Sequence, residues 1–175
     1  MSELYVTGDT HFHHSRMATH YRPYESVEQM NEQMVEAWND LIRPTDVVWH
    51  VGDFSFGSAE KVKEVYARLH GEKHLIVGNH DSNAVKRLGW ASVHDLHKLK
   101  AEGKRYWLCH YPLLTWPNAH KGTWHLHGHS HGNLQAPIST RMDVGVDATG
   151  VIAMPIEEVA AILAQRQYDF VDHHD

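Results

Sequence analysis

The sequence predicts an α/β sandwich with mixed sheets. Two observations carry that expectation: strand-like and helical segments alternate through the first half of the chain, and hairpin-rich sequence fills the second. A third indicates what the sheets hold. Five strand-like segments end in residues able to bind metal: Asp9-Thr10-His11, Gly52-Asp53, Gly78-Asn79-His80-Asp81, His110 and Gly128-His129-Ser130-His131. Sheet formation does not ask for carboxylates and imidazoles at successive strand ends, whereas a site for two metal ions does.

Residues 4–8 read as a short buried strand and residues 12–25 as a polar, aromatic loop. Ser26 then caps a helix, with Gln29 completing a capping box. Val27, Met30, Met34, Trp38 and Leu41 recur at helical spacing until Pro44 closes the element, a stripe expected of a helix packed on a sheet. Residues 46–51 form the next strand. Ser58 caps a second helix whose inner face is Val62, Val65, Tyr66 and Leu69, and Gly71 stops it. Residues 74–77 are a strand and residues 83–88 a short helix. Residues 93–100 and 104–110 read as a hairpin about Glu102-Gly103. A loop over 111–123 holds Pro112, Trp116 and Pro117, and strands follow over 124–127 and 142–146. Pro155 opens a last helix through about Gln167, with Ile156, Val159, Ala160 and Leu163 facing in.

Without repeat or linker, the 175 residues are expected to form one domain over 1–175. No apolar run approaches the roughly 18 residues of a membrane span. The N-terminus lacks the basic-then-apolar pattern of a signal peptide. Cys109 is the single cysteine, so no internal disulfide forms, and a cytoplasmic location is expected. The net charge of −6 disfavours clamping of extended nucleic acid. Two divalent ions would add positive charge locally. Histidine is the outlier at 18 residues, dispersed rather than gathered in a tag.

Asp9 and His11 stand two residues apart, so a strand's period sends both side chains the same way. They lie just past a strand's C-terminal end, where open α/β sheets hold ligands. Asp53 follows an apolar strand and a glycine that lets the backbone turn closely around an ion. Alone, either could serve a turn or a helix cap. Gly-Asn-His-Asp is more specific. The Asn79 amide oxygen is a usable neutral ligand, His80 can carry a proton, and Asp81 can fix its tautomer. Gly-His-Ser-His repeats the two-residue spacing. His125 and His127 continue the same odd series, and His129 and His131 are preferred because Gly128 marks the strand end. Imidazole, carboxylate and amide oxygen without thiolate suit two ions of Mn, Fe, Zn, Co or Ni better than Ca or Mg, with Mn favoured.

The order Asp-x-His, Gly-Asp, Gly-Asn-His-Asp, His, Gly-His-x-His, running from residue 9 to 131, resembles the calcineurin-like metallophosphoesterase superfamily. Arg22-Pro23, Asn39, Gly-Asp-Phe-Ser-Phe-Gly and His-Tyr-Pro look like its small bacterial and phage branch of predicted phosphoesterases. The resemblance implies two stacked mixed β-sheets flanked by helices, a four-layer αββα sandwich. It implies Asp9, His11 and His131 on one metal, Asn79, His110 and His129 on the other, and Asp53 bridging. It further implies metal-hydroxide attack on phosphorus, with His80 stabilising the transition state or protonating the leaving oxygen and Asp81 holding His80. One departure is informative. Phe56, Gly57 and Ser58 stand where the superfamily's phosphoprotein phosphatases carry Asp, Arg and Gly, which argues against protein phosphatase activity.

Residues 12–25 and 111–123 adjoin ligands and are expected to rim the site. His14 and Arg22 are the expected phosphate contacts, since the Arg fork suits phosphate, and nearby aromatic faces can stack a base. The expected substrate is a small phosphomonoester or phosphodiester, nucleotide-like or cyclic-nucleotide-like. Two alternatives are a catalytically silent metal-binding scaffold and a nuclease acting on nucleic-acid ends. The superfamily's retromer scaffold subunit lacks the histidine at the His80 position; its presence here favours an enzyme. A metallo-β-lactamase-like hydrolase requires His-x-His-x-Asp-His, and residues 10–16 have no Asp in the required place. Asp143 and Asp147 follow the last motif with no assigned role beyond a buttress.

Overall fold

A computed structural model describes residues 2–134 and 140–167. Side-chain alternation along three parallel strands creates two cores. In β1 (Leu4–Thr7), β2 (Val47–His50) and β3 (Glu72–Ile76), the residues Tyr5, Val48 and Leu75 face one side. There they meet Trp38 of α1 (Val27–Leu41) and Val62 and Val65 of α2 (Ala59–Arg68). Val6, Trp49 and Ile76 face the other side, against Leu108 and Leu126 of a second sheet. Strands buried on both faces need apolar residues in succession, which is why Val47-Val48-Trp49 carries no alternation.

The first sheet has the order β4 (Ser92–His94), β3, β2, β1, β9 (Met154–Pro155), parallel except where β9 runs antiparallel to β1. The second has the order β5 (Leu96–Ala101), β6 (Lys104–Cys109), β7 (Trp124–His127), β8 (Arg141–Asp143). There β5 and β6 form an antiparallel hairpin and the other pairs are parallel. The fold is therefore two mixed sheets flanked by helices, as expected. The helix α5 (Ile156–Ala164) inserts Ile156, Val159 and Leu163 into the inter-sheet core. Residues 111–123 roof the far side of the second sheet, where buried Trp116 lies 5.1 Å from the His125 ring.

Ser26 caps α1 by accepting from Gln29 N at 3.1 Å, and the Gln29 side chain reaches back to Glu25 N, one residue earlier than a capping box predicts. Three other differences are physical. The segment 93–100 divides at Asp95: β4 joins the first sheet and β5 the second. Both partners demand the same alternation, so a change of sheet leaves no mark on the pattern. The expected strand over 142–146 ends at Asp143, and Val146 starts the short α4 (Val146–Thr149). Within residues 12–25 lies a π-helical turn, Met17–Tyr21, a feature common near functional sites. Among the described residues no helix is long and apolar enough to cross a membrane.

Candidate metal centre

The C-terminal ends of β1, β2, β3, β6 and β7 meet at one edge of the sandwich, and all seven expected ligands gather there. Ligand atoms of Asp9, His11 and His131 lie within 4.8 Å of one another, as do those of Asp9, Asp53 and His110. Asp53 Oδ2 lies 3.8 Å from His11 Nε2 and 3.4 Å from His110 Nε2, between the two groups. Asn79 Oδ1 is 3.0 Å from both His110 Nε2 and His129 Nδ1. His110 turns Nε2 into the cluster because its Nδ1 donates to Val51 O at 2.9 Å, a bond that also ties the two sheets together. Gly78 and Gly128 keep the approach open: a Cβ at Gly78 would overlap the Asp53 carboxylate, and one at Gly128 the Asp9 carboxylate.

The backbone is strained where the candidate ligands are presented. Asp9, His11, Asp53, His129 and His131 have positive φ, between 46° and 69°. Each such placement costs a non-glycine residue on the order of 1 kcal/mol or more. Glycine would relieve every one of them. The strand-end turns instead carry side chains that converge on one point.

Expected contacts with substrate divide. His14 is half-buried beside His11 and Phe56, with ring centroids 5.7 and 4.3 Å away. Its Nδ1 accepts from Met17 N at 3.3 Å, which leaves Nε2–H as a donor. Arg22 is not a phosphate contact. It is buried, and its donors are taken by Asp147 Oδ1 and Oδ2 (2.8 and 2.9 Å), Thr10 O (2.8 Å), Asp9 O (2.6 Å) and two methionine sulfurs. A guanidinium has five N–H groups, so none is left for a ligand.

Asp81 also acts differently from the expectation. Its carboxylate accepts from Gly78 N (2.7 Å), Asp53 N (3.0 Å) and Phe54 N (2.8 Å), all backbone groups, and not from the His80 ring. It braces the turn that carries Asp53. His80 is exposed, and its own N–H donates to Asp53 Oδ1 at 2.8 Å, which anchors its backbone beside the cluster. His125 is structural: it donates to Trp107 O at 2.8 Å and accepts from Leu113 N at 3.1 Å. His127 Nδ1 donates to Gly128 O at 2.8 Å. Asp143 holds Gly132 N and Gly145 N at 3.0 and 2.9 Å.

Sequence reasoning gave Asp147 no specific role. Its Oδ2 lies 2.7 Å from His131 Nδ1, with Arg22 gripping the same carboxylate. The available signal was indirect: an arginine lodged among methionines must find a carboxylate.

Electrostatics favour a cation. Burial pushes the Asp9 carboxyl up and the His11 imidazole down to about 3, so each alone would rather be neutral. Burial also works to raise Asp53, but hydrogen bonding and charge from His110 outweigh it and hold Asp53 at about 2. His131 is raised, chiefly by its bond to Asp147. His11 Nδ1 is buried without a partner. A divalent ion would keep Asp9 ionised and use the lone pair of a neutral His11, so the donor set fits such an ion.

No family model matches the chain. An uncharacterized protein of Methanocaldococcus jannaschii is 32% identical over 136 residues, covering 76% of this chain and 72% of that protein. The chain belongs to the family of that protein. The gene 66 protein of Mycobacterium phage D29 is 27% identical over 192 residues, covering 91% of this chain and 94% of its own length. Among solved structures, a protein of unknown function from Aquifex aeolicus has a TM-score of 0.74 at 20% identity, covering 93% of this chain and 100% of its own. A novel archaeal phosphodiesterase has a TM-score of 0.53 at 17% identity, covering 82% of each chain. The chain thus shares its fold with that phosphodiesterase.

Proposed function

We propose that the protein is a dinuclear-metal-dependent phosphoesterase acting on a small, nucleotide-like phosphomonoester or phosphodiester. One observation carries the reading: the Asp53 carboxylate lies between His11 and His110, at 3.8 and 3.4 Å, where it can be shared by two ions. The fold in common with an archaeal phosphodiesterase supports it. Asp9, His11 and His131 would hold one ion and Asn79, His110 and His129 the other, with Mn favoured. When bound, such ions activate water and neutralise phosphoryl oxygens. The chain's own groups do the rest. His80, whose ring centroid is 5.9 Å from that of His11, is the general acid for the leaving oxygen. His14 offers Nε2–H to a phosphoryl oxygen. Asp81 keeps Asp53 in place.

Turnover of phosphomonoesters, cyclic nucleotides and bis(p-nitrophenyl) phosphate with Mn²⁺ tests this. Hydrolysis of at least one is expected, and His80→Ala should lower it by roughly 10²–10⁴-fold while metal content is kept. Activity confined to long DNA or RNA would overturn the small-substrate reading.

A further inference from the structure

We infer that Asp147, gripped by Arg22, is a positioning residue of the metal centre that acts through His131. The inference rests on the metal-centred reading above and deepens it. His131 Nδ1 lies 2.7 Å from Asp147 Oδ2, so Nδ1 is the donor and Nε2 is left as the ligand atom. That Nε2 lies 3.3 Å from His11 Nε2, inside the cluster. The hydrogen bond therefore selects both the tautomer and the ring orientation that a metal requires of His131.

Arg22 links this carboxylate to a second ligand. Its Nε and Nη2 grip Asp147 at 2.8 and 2.9 Å, while Nη2 and Nη1 donate to Asp9 O at 2.6 Å and Thr10 O at 2.8 Å. One planar group thus fixes the backbone of Asp9 and, through Asp147, the ring of His131. Asp9 and His131 are both strained, at φ 53° and 46°, and the clamp spans the two strained turns. The sulfurs of Met30 and Met34, each 3.6 Å from Nη1, wall the guanidinium on the α1 side. Lysine offers no planar fork and could not reproduce these bonds. In the other half of the site His110 is oriented by a backbone carbonyl, Val51 O, and Asn79 and His129 are exposed.

A purely structural ion pair would lower thermal stability and leave the metal affinities of the folded protein alone. A positioning role predicts that one metal weakens selectively. Calorimetric titration of the full chain with Mn²⁺ separates them, using Asp147→Ala, Asp147→Asn and Arg22→Lys, with near-ultraviolet circular dichroism to certify folding. Loss of the partner of a metal-bound histidine typically costs 10–100-fold in affinity. Asp147→Ala should show that loss for one bound ion and little change for the other. Asp147→Asn should lose less, because its amide oxygen still accepts from His131. Should the alanine variant fail to fold, the asparagine and lysine variants carry the test. Folded variants that bind Mn²⁺ as the wild type does would overturn the positioning role, as would equal weakening of both ions. A wild-type protein that binds neither Mn²⁺ nor Co²⁺ would instead overturn the metal reading on which this role depends.

Discussion

His11 and His131 bring their Nε2 atoms to 3.3 Å, with ring planes 13° apart. Burial keeps His11 neutral at pH 7, and His131 spends Nδ1–H on Asp147. If both rings are neutral, either His11 tautomer leaves a cost. A proton on Nε2 leaves the buried Nδ1 lone pair unpartnered, and a proton on Nδ1 makes two lone pairs face each other. A cation between the rings removes that repulsion. Divalent metal should therefore stabilise the fold. At a concentration 100 times its dissociation constant, a ligand that binds only the native state contributes about 2.7 kcal/mol. For a domain of this size that corresponds to roughly 5–11 °C in Tm. Thermal melts after EDTA treatment, repeated with Mn²⁺, measure the shift; an unchanged midpoint with Mn²⁺, Zn²⁺ and Co²⁺ would contradict it.

Asp81 and His80 are neighbours with separable duties. Asp81 accepts three backbone N–H groups, from Gly78, Asp53 and Phe54, all in buried residues. Asp81→Ala strands these donors, at a cost on the order of 3 kcal/mol. It also frees the turn that presents Asp53, so metal affinity should fall with stability. Asp81→Asn, which retains one acceptor oxygen, should lose about half as much. His80→Ala should leave stability within about 0.5 kcal/mol of the wild type. Urea melts of the three variants test the separation, and a wild-type midpoint for Asp81→Ala would refute the bracing role.

Much of this candidate site was legible because the residues it gathers are local to strand ends. Asp9, His11, Asp53, Asn79, His110, His129 and His131 each follow an apolar run, and their order along the chain carries a family resemblance. Duties set by distant partners were not legible. Arg22 reads as a phosphate ligand from its loop, yet Asp147, 125 residues away, consumes it. Asp81 reads as the orienter of adjacent His80, but the Asp53 turn folds back onto it across 28 residues. The fold shows the same divide. Periodicity revealed α1 and α2, whereas the crossing of the chain between sheets at Asp95 depends on which edge is free, and β9 is too short for any period to register.

Asp46 provides a pH prediction remote from the candidate metal centre. Hydrogen bonds from the Arg43 side chain, chiefly, with further ones from Arg43 N and Glu3 N, hold its carboxyl well below the usual range against the opposing effect of burial. A carboxyl depressed in the folded state stabilises above its unfolded pKa of about 3.9, and the contribution is lost as pH falls through the folded value. The wild type should lose stability progressively below about pH 4 from this group, and Asp46→Asn should show a shallower decline with lower stability at pH 7. Arg43 is half-exposed, so added salt should shrink the difference. Urea melts of both proteins in EDTA, from pH 7 down to the acid limit of folding, isolate the effect from metal-ligand protonation. Parallel curves for the two proteins would count against it.

Glu102 tests whether left-handed strain is tied to function at the ligands alone. Glu102 and Gly103 have φ of 50° and 67° and join β5 to β6 as a two-residue turn between Ala101 and Lys104. Positive φ at both central positions marks a type I′ hairpin, for which Asn-Gly is the favoured pair. Glutamate is strained there, and the turn lies at the end of β6 opposite His110, away from the metal centre. Glu102→Asn should stabilise by about 0.5–1 kcal/mol, a rise of roughly 1–4 °C in Tm, with metal affinity and turnover unchanged. Asp9→Gly or His131→Gly relieves the backbone strain at a ligand position and removes the donor group, so metal binding should fall. Melting and Mn²⁺ titration of the three variants decide the matter. A Glu102→Asn protein no more stable than the wild type would mean that the turn's strain is already relieved, and positive φ would then no longer measure what the metal ligands give up.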